Sequence, residues 1–253
     1  MSRLRALFGG LTAALAASLT AGCLMSVSIS GSGNLVTLQE EHSGFDRVHA
    51  AHAFEVEIRQ GPVFSVVVET DDNVTEHLDV QVVGSTLELG LKHGSYSLNN
   101  VTLEARVTMP VVTGVGASGA SHVHLVDVRT EDRVDIDLSG ASSLTGVLNA
   151  RDLSFDISGA SRAELSGSCD GLDIDMSGAS NAQLSLLTAN DVSIDASGAS
   201  HASVRTDGSL SVDASGASSV VYSGEPRLRS VDTSGAASII SATSGSKKQP
   251  KVQ

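Results

Sequence analysis

The sequence has no tryptophan, and aromatic residues make up only 3% of its 253 positions. That excludes a thick interior filled by large rings and leaves Val, Leu, Ile and Ala to do the packing, which suits strands stacked around a thin, regular core. Cysteine is almost absent too. Cys23 and Cys169 are the only two, and nothing in the sequence calls for their pairing. Basic charge is scarce, with 16 Lys plus Arg against 29 Asp plus Glu and a net charge of −13. Such a surface repels nucleic acid and anionic lipid heads over a Debye length of about 8–10 Å, and favours cations and basic partners. Beyond the first residues no segment carries apolar side chains at i, i+3, i+4 and i+7, so helices are not expected.

The one long apolar run is Ala6 to Leu19, behind Arg3 and Arg5 and too short to span a bilayer comfortably. Thr20, Ala21 and Gly22 lead from it into Cys23. Residues 1–22 therefore read as a lipoprotein signal peptide, and the stretch resembles a bacterial lipobox, which implies lipid attachment to the Cys23 sulfur. An ordinary signal peptide cut near Ala21, with Cys23 a free thiol, is the alternative. Leu24 after the cysteine resembles an outer-membrane sorting signal. Residues 23–34, rich in Ser and Gly, read as a tether, and order is expected from Leu35. Residues 243–253, with Lys247, Lys248, Pro250 and Lys251, read as a disordered tail.

From 35 to 110 the pattern is strand-like. Phe54, Val56 and Ile58 alternate with Glu55, Glu57 and Arg59, Gly61-Pro62 forces a turn, and Val101, Leu103, Ala105, Val107 and Met109 share a face that Pro110 ends. From 111 to 242 the chain repeats itself. Ser-Gly-Ala-Ser begins at Ser118, Ser139, Ser158, Ser177, Ser197 and Ser215, and Ser-Gly-Ala-Ala at Ser234, at spacings of 18 to 21 residues. Aligned on the first Ser from Ser139 onward, apolar residues stand three and one positions before it. Between them, two positions before the Ser, stand Asp137, Asp156, Asp175, Asp195, Asp213 and Asp232. Each repeat is thus one coil, with apolar residues inward, an aspartate outward, and a sharp Gly-Ala corner in which the small Ala is expected to sit inside the bend. The fold expected is all-β: a single-stranded right-handed parallel β-helix, or β-solenoid, with the N-terminal strands as a cap and early coils. Six intervals at about 4.8 Å extend it by about 29 Å.

Phe45-Asp46-Arg47-Val48, the strand Phe54 to Arg59, Gln60-Gly61, Val66-Val67-Val68-Glu69 and Thr108-Met109-Pro110 followed by the Ser-Gly-Ala ladder resemble the head GIN domain family. The resemblance covers residues 40–242. It implies a β-helix-like fold outside the cytoplasm, often behind a signal peptide or lipid anchor, and no catalytic residues.

The six aspartates are the sharpest candidate site. Unit charges about 4.8 Å apart repel by about 0.9 kcal/mol in water. Two offsets are open: Ca²⁺ held between successive coils, or hydrogen bonds from the backbone N–H groups of each aspartate's own Ser-Gly corner. His122 with His124, and His49 with His52, lack a third ligand at a zinc spacing and read as solvated strand histidines. The repeated serines read as scaffold rather than nucleophiles, since Gly-x-Ser-x-Gly does not occur. Coil spacing leaves no inserted loop in which to build a catalytic cleft. The expected role is a non-catalytic binding or adhesion module, lipid-anchored in the cell envelope, with an envelope, glycan or host-surface partner and no cofactor beyond Ca²⁺. A carbohydrate-active β-helix enzyme and a purely structural envelope lipoprotein are the alternatives.

Overall fold

The structure, a computed structural model, describes residues 27–242. The signal peptide, Cys23 and the 243–253 tail lie outside these residues. Within them the chain is a β-solenoid of stacked parallel coils.

Strand alternation does what the sequence requires. Ile136, Phe155, Ile174, Ile194 and Val212 point into one continuous core, with Leu138, Ile157, Met176, Ala196 and Ala214 two residues later. After the corner, Ala163 with Leu165, Ala182 with Leu184 and Ala202 with Val204 are buried as well. The interior is thin because these side chains are small, as the lack of tryptophan demands.

Register is exact through the repeat corners. Arg133–Leu138 pairs in parallel with Asp152–Ile157, which pairs with the second half of Arg162–Met176, and so upward through Asn181–Ala196 and His201–Ala214 to Arg227–Thr233. The corner glycines Gly119, Gly140, Gly159, Gly178, Gly198, Gly216 and Gly235 all have φ between 70° and 73°. They also stack so closely that a Cβ on Gly178 would lie 2.5 Å from the Gly159 carbonyl oxygen. Glycine is required there twice over, by backbone conformation and by space. The Ala that follows is not inside the bend, as expected, but exposed at its tip. Its N–H donates to the glycine carbonyl of the preceding coil, as in Ala179 to Gly159 at 2.7 Å. The residue turned inward is the closing serine: Ser121, Ser142, Ser161, Ser180, Ser200 and Ser218 are buried in a column. The bend places the fourth position, not the third, under the strand that follows.

The N-terminal strands build the first coils out of sequence order. Thr86–Leu91 lies beneath Arg47–Ala50, which lies beneath Gly114–Ala117. On the next face Leu103–Met109 lies beneath Glu55–Gln60 and His122–Arg129. Antiparallel strands then close this end: Ser65–Asp71 pairs with Leu103–Met109 and with Leu35–Glu40, and Leu78–Val83 pairs with Thr86–Leu91. Order begins earlier than the tether reading has it. Val27–Ser30 is a strand pairing in parallel with Tyr96–Asn99, and Ile29 is buried. Gly33 and Thr102 both donate backbone N–H bonds to the buried Asp71 carboxylate, at 2.7 and 2.8 Å. The Ser/Gly composition hid this, because the residues are held by backbone pairing and by Asp71 rather than by an apolar stripe of their own.

Candidate functional site

The aspartates occupy a single outward row. Asp137 sits directly beneath Asp156, and Asp175, Asp195, Asp213 and Asp232 follow in unbroken register. All six are exposed. Four of them, with Ser177, Ser197 and Ser215, line an open groove of about 380 Å³ along the wall.

Downward, the same row continues through Gly116 and His49 to Glu88. His49 Nδ1 is 2.8 Å from the Glu88 carboxylate. The adjacent outward row runs Arg47, Gly114, Asp135. Glycine at both outward positions of Gly114–Ala117 leaves a gap in the wall, and the side chains beneath lie across it: a Cβ on Gly114 would be 2.4 Å from Arg47 Nε, and one on Gly116 2.7 Å from His49 Cδ2. Arg47 thereby reaches Asp135 at 2.9 Å. Positive charge from the cap is delivered to the lower end of the acidic row. Sequence reasoning missed it, although Gly-Val-Gly on the polar face of a strand is the signal that could have shown it.

Partial desolvation against the wall, and next the neighbouring Asp156, hold the Asp137 carboxyl above the ordinary carboxylate range, while Arg47 and His49 pull the other way. Asp175 is raised by partial desolvation and then by Asp195, Asp156 and Asp173. Asp135 is lowered, because its bonds to Arg47 and Arg133 outweigh its burial. The backbone hydrogen bonds expected as an offset are not made. Corner Ser and Ala N–H groups donate to the coil below, as Ser177 does to Ile157 and Ala179 to Gly159, and among the described residues no ladder carboxylate accepts from its own Ser-Gly corner. Nor, among these residues, is any group of three or more His, Cys, Asp or Glu arranged to hold a metal ion. The ladder is a file of outward, exposed carboxylates whose mutual repulsion is opposed at its lower end by Arg47 and His49.

The next face carries a shallow cleft of about 260 Å³ lined by Glu55, Glu57, Glu104, Arg106, His122 and His124. The two histidines are strand residues whose Nδ1 atoms meet the Ser143 hydroxyl at 2.6 Å and the Thr145 hydroxyl at 2.9 Å. Glu55 stands directly against Glu104, and Arg59 holds Glu57 with a 2.7 Å bond that lowers its pKa. His52 is apart from this cleft and receives the Leu91 N–H; burial and then His49 push its pKa down. Cys169 is buried, and burial, followed by Asp170 and Asp152, pushes its thiol up to about 12. A thiol so held is no nucleophile at neutral pH.

Residues 44–226 match a family model described as "Putative auto-transporter adhesin, head GIN domain". No curated protein matches. Among solved structures, a putative adhesin from Bacteroides fragilis is 21% identical with a TM-score of 0.74, over 84% of this chain and 99% of that one. A putative lipid binding protein from Parabacteroides distasonis is 18% identical with a TM-score of 0.69, over 86% and 100%. A putative adhesin from Parabacteroides merdae is 14% identical with a TM-score of 0.65, over 85% and 99%. At these identities the likeness is one of fold.

Proposed function

This chain belongs to the head GIN domain family, and from that membership we propose that it is an extracytoplasmic binding or adhesion module, held to the cell envelope through Cys23 and acting without catalysis. The observation that carries the reading is the acidic wall: six in-register aspartates exposed in one row, four of them along an open groove, on a scaffold whose backbone is paired coil to coil. A rigid wall loses little conformational entropy on binding and presents many equivalent contacts at a fixed spacing, which suits an extended partner bearing basic or hydroxyl groups. The structures of similar fold from Bacteroides and Parabacteroides, described as a putative adhesin and a putative lipid binding protein, accord with a binding role.

Capture from intact envelopes and from arrays of cell-wall glycans and host matrix, using the full acylated chain, tests this. Saturable binding that falls at least tenfold in the Asp156→Asn, Asp195→Asn double variant is expected. No binding anywhere on the panel, with attachment unchanged in a deletion strain, overturns it. Metabolic labelling with a radioactive fatty acid tests the anchor: label on the wild type and none on Cys23→Ala is expected.

One observation favours a second reading. The Glu55–Glu104 cleft supplies the paired carboxylates that a carbohydrate-active β-helix would need. It is open and shallow, and all of its lining residues lie on strands. Incubation with a polysaccharide panel should release no reducing ends; release abolished by Glu55→Gln would establish the enzyme instead.

A further inference from the structure

The two ends of the solenoid are finished differently. At the N-terminal end the first coil is closed by strands that fold back in antiparallel fashion, Ser65–Asp71 and Leu78–Val83. At the other end the last described coil consists of Arg227–Thr233, which among the described residues pairs only with His201–Ala214, and Ser238–Ser241, which pairs with Ser219–Ser223. Every residue of Arg227–Thr233 is exposed. Leu228 and Val231, which continue the buried rows of Leu210 and Val212, are 50% and 43% exposed, and Ile240 is 52% exposed. The residues that follow, 243–253, contain one large apolar side chain, Val252, and three lysines.

Charge along this edge is asymmetric. Arg227 and Arg229 lie in its first half and make no ion pair among the described residues. Asp232 lies near its end, directly above Asp213. A second strand laid parallel would set arginine over arginine and aspartate over aspartate. Laid antiparallel, the same sequence brings the Arg227 end of each strand to the Asp232 end of the other and covers Leu228 and Val231 on both. A twofold arrangement of this kind is self-complementary and closes after two copies, so it does not propagate into a fibre.

We propose that the open C-terminal coil is a homodimer interface, in which the Arg227–Thr233 edges of two copies pair antiparallel about a twofold axis and join two solenoids end to end. Main-chain hydrogen bonds between the edges provide the attraction, and the arginine and aspartate positions select the orientation.

Sedimentation velocity on the full chain in density-matched detergent, over micromolar concentrations, tests this together with three charge variants. All three altered residues are exposed, so the fold is expected to survive, and circular dichroism checks that it does. The wild type is expected to be dimeric. Asp232→Arg should raise the dimer dissociation constant at least tenfold, and so should Arg227→Asp with Arg229→Asp. Combining all three exchanges restores opposite charge in every pair and should return the constant to within about threefold of wild type. A wild type that stays monomeric throughout, single exchanges that leave the dimer unchanged, or a combined variant no better than its parents overturns the proposal.

Discussion

Arg47 and Asp135 belong to strands that are not neighbours, yet their side chains meet at 2.9 Å across Gly114. The contact exists because the intervening coil presents no side chain at that position. Gly114→Val should displace the guanidinium, since the first added carbon already falls 2.4 Å from Nε. The pair itself is part-exposed and worth less than about 1 kcal/mol. A thermal-unfolding double-mutant cycle with Arg47→Met and Asp135→Asn should therefore give a small coupling in the wild type and none on the Gly114→Val background.

The corner glycines are expected to be far less forgiving. Gly178→Ala combines a φ of 73° with a clash against the Gly159 backbone, whereas Gly44→Ala has a φ of 78° and open space around the new carbon. Conformational strain alone costs about 1–2 kcal/mol. The denaturation midpoint of Gly178→Ala should fall by at least twice as much as that of Gly44→Ala; equal losses would mean that the stack yields readily.

Two members of the buried serine column should respond in opposite senses. Among the described residues Ser200 Oγ has no hydrogen-bond partner, while Ser218 Oγ donates at 2.9 and 3.2 Å toward the Ser215 and Ala196 carbonyls. Removing an unsatisfied buried hydroxyl is neutral or gains about 1 kcal/mol, and removing a bonded one loses about as much. Ser200→Ala should match or exceed the wild type in urea, and Ser218→Ala should fall below it.

Acid should act on the fold in two opposed ways. The raised carboxyls of Asp137 and Asp175 contribute stability that is fully present below the unfolded pKa of about 4 and is lost as pH rises through their higher folded values. Asp71, lowered chiefly by the Thr102 and Gly33 N–H groups, contributes stability present above about pH 4 that is lost as pH falls through its folded value. Asp175→Asn should therefore melt above the wild type at pH 7, with the advantage shrinking in acid. Asp71→Asn should melt below it at pH 7, with the deficit shrinking instead.

Ladder repulsion between exposed carboxylates is screened by salt. Raising NaCl to about 0.5 M should lift the wild-type melting temperature more than that of Asp156→Asn with Asp195→Asn. Because among the described residues no group of three or more His, Cys, Asp or Glu is arranged to hold a metal ion, CaCl₂ should add nothing beyond an equal ionic strength of NaCl. A further rise with Ca²⁺, reversed by chelator, would establish the intercoil cation.

The repeat and its aspartate row were legible because one motif recurs with a fixed polarity, so every coil votes for the same register. The strand Glu55–Gln60 was legible from the alternation of Phe54, Val56 and Ile58 with Glu55, Glu57 and Arg59 alone. What stayed hidden depends on contacts distant in sequence. Arg47 lies 88 residues from Asp135, and coil order in the cap is inverted, a fact that no local pattern encodes. The closing Ser rather than the expected Ala is buried at the corner because size predicts which residue can be buried, while the bend decides which one is. The Val27–Ser30 strand was obscured because its partner, Tyr96–Asn99, lies beyond six intervening strands.

A finished base with a periodic column above it makes height an inheritable quantity. Duplicating one motif of about nineteen residues inserts one storey of about 4.8 Å, one more carboxylate and one more buried serine, without disturbing the base. Lineages can therefore lengthen or shorten such a molecule in uniform increments, and set how far its summit stands from whatever surface carries it.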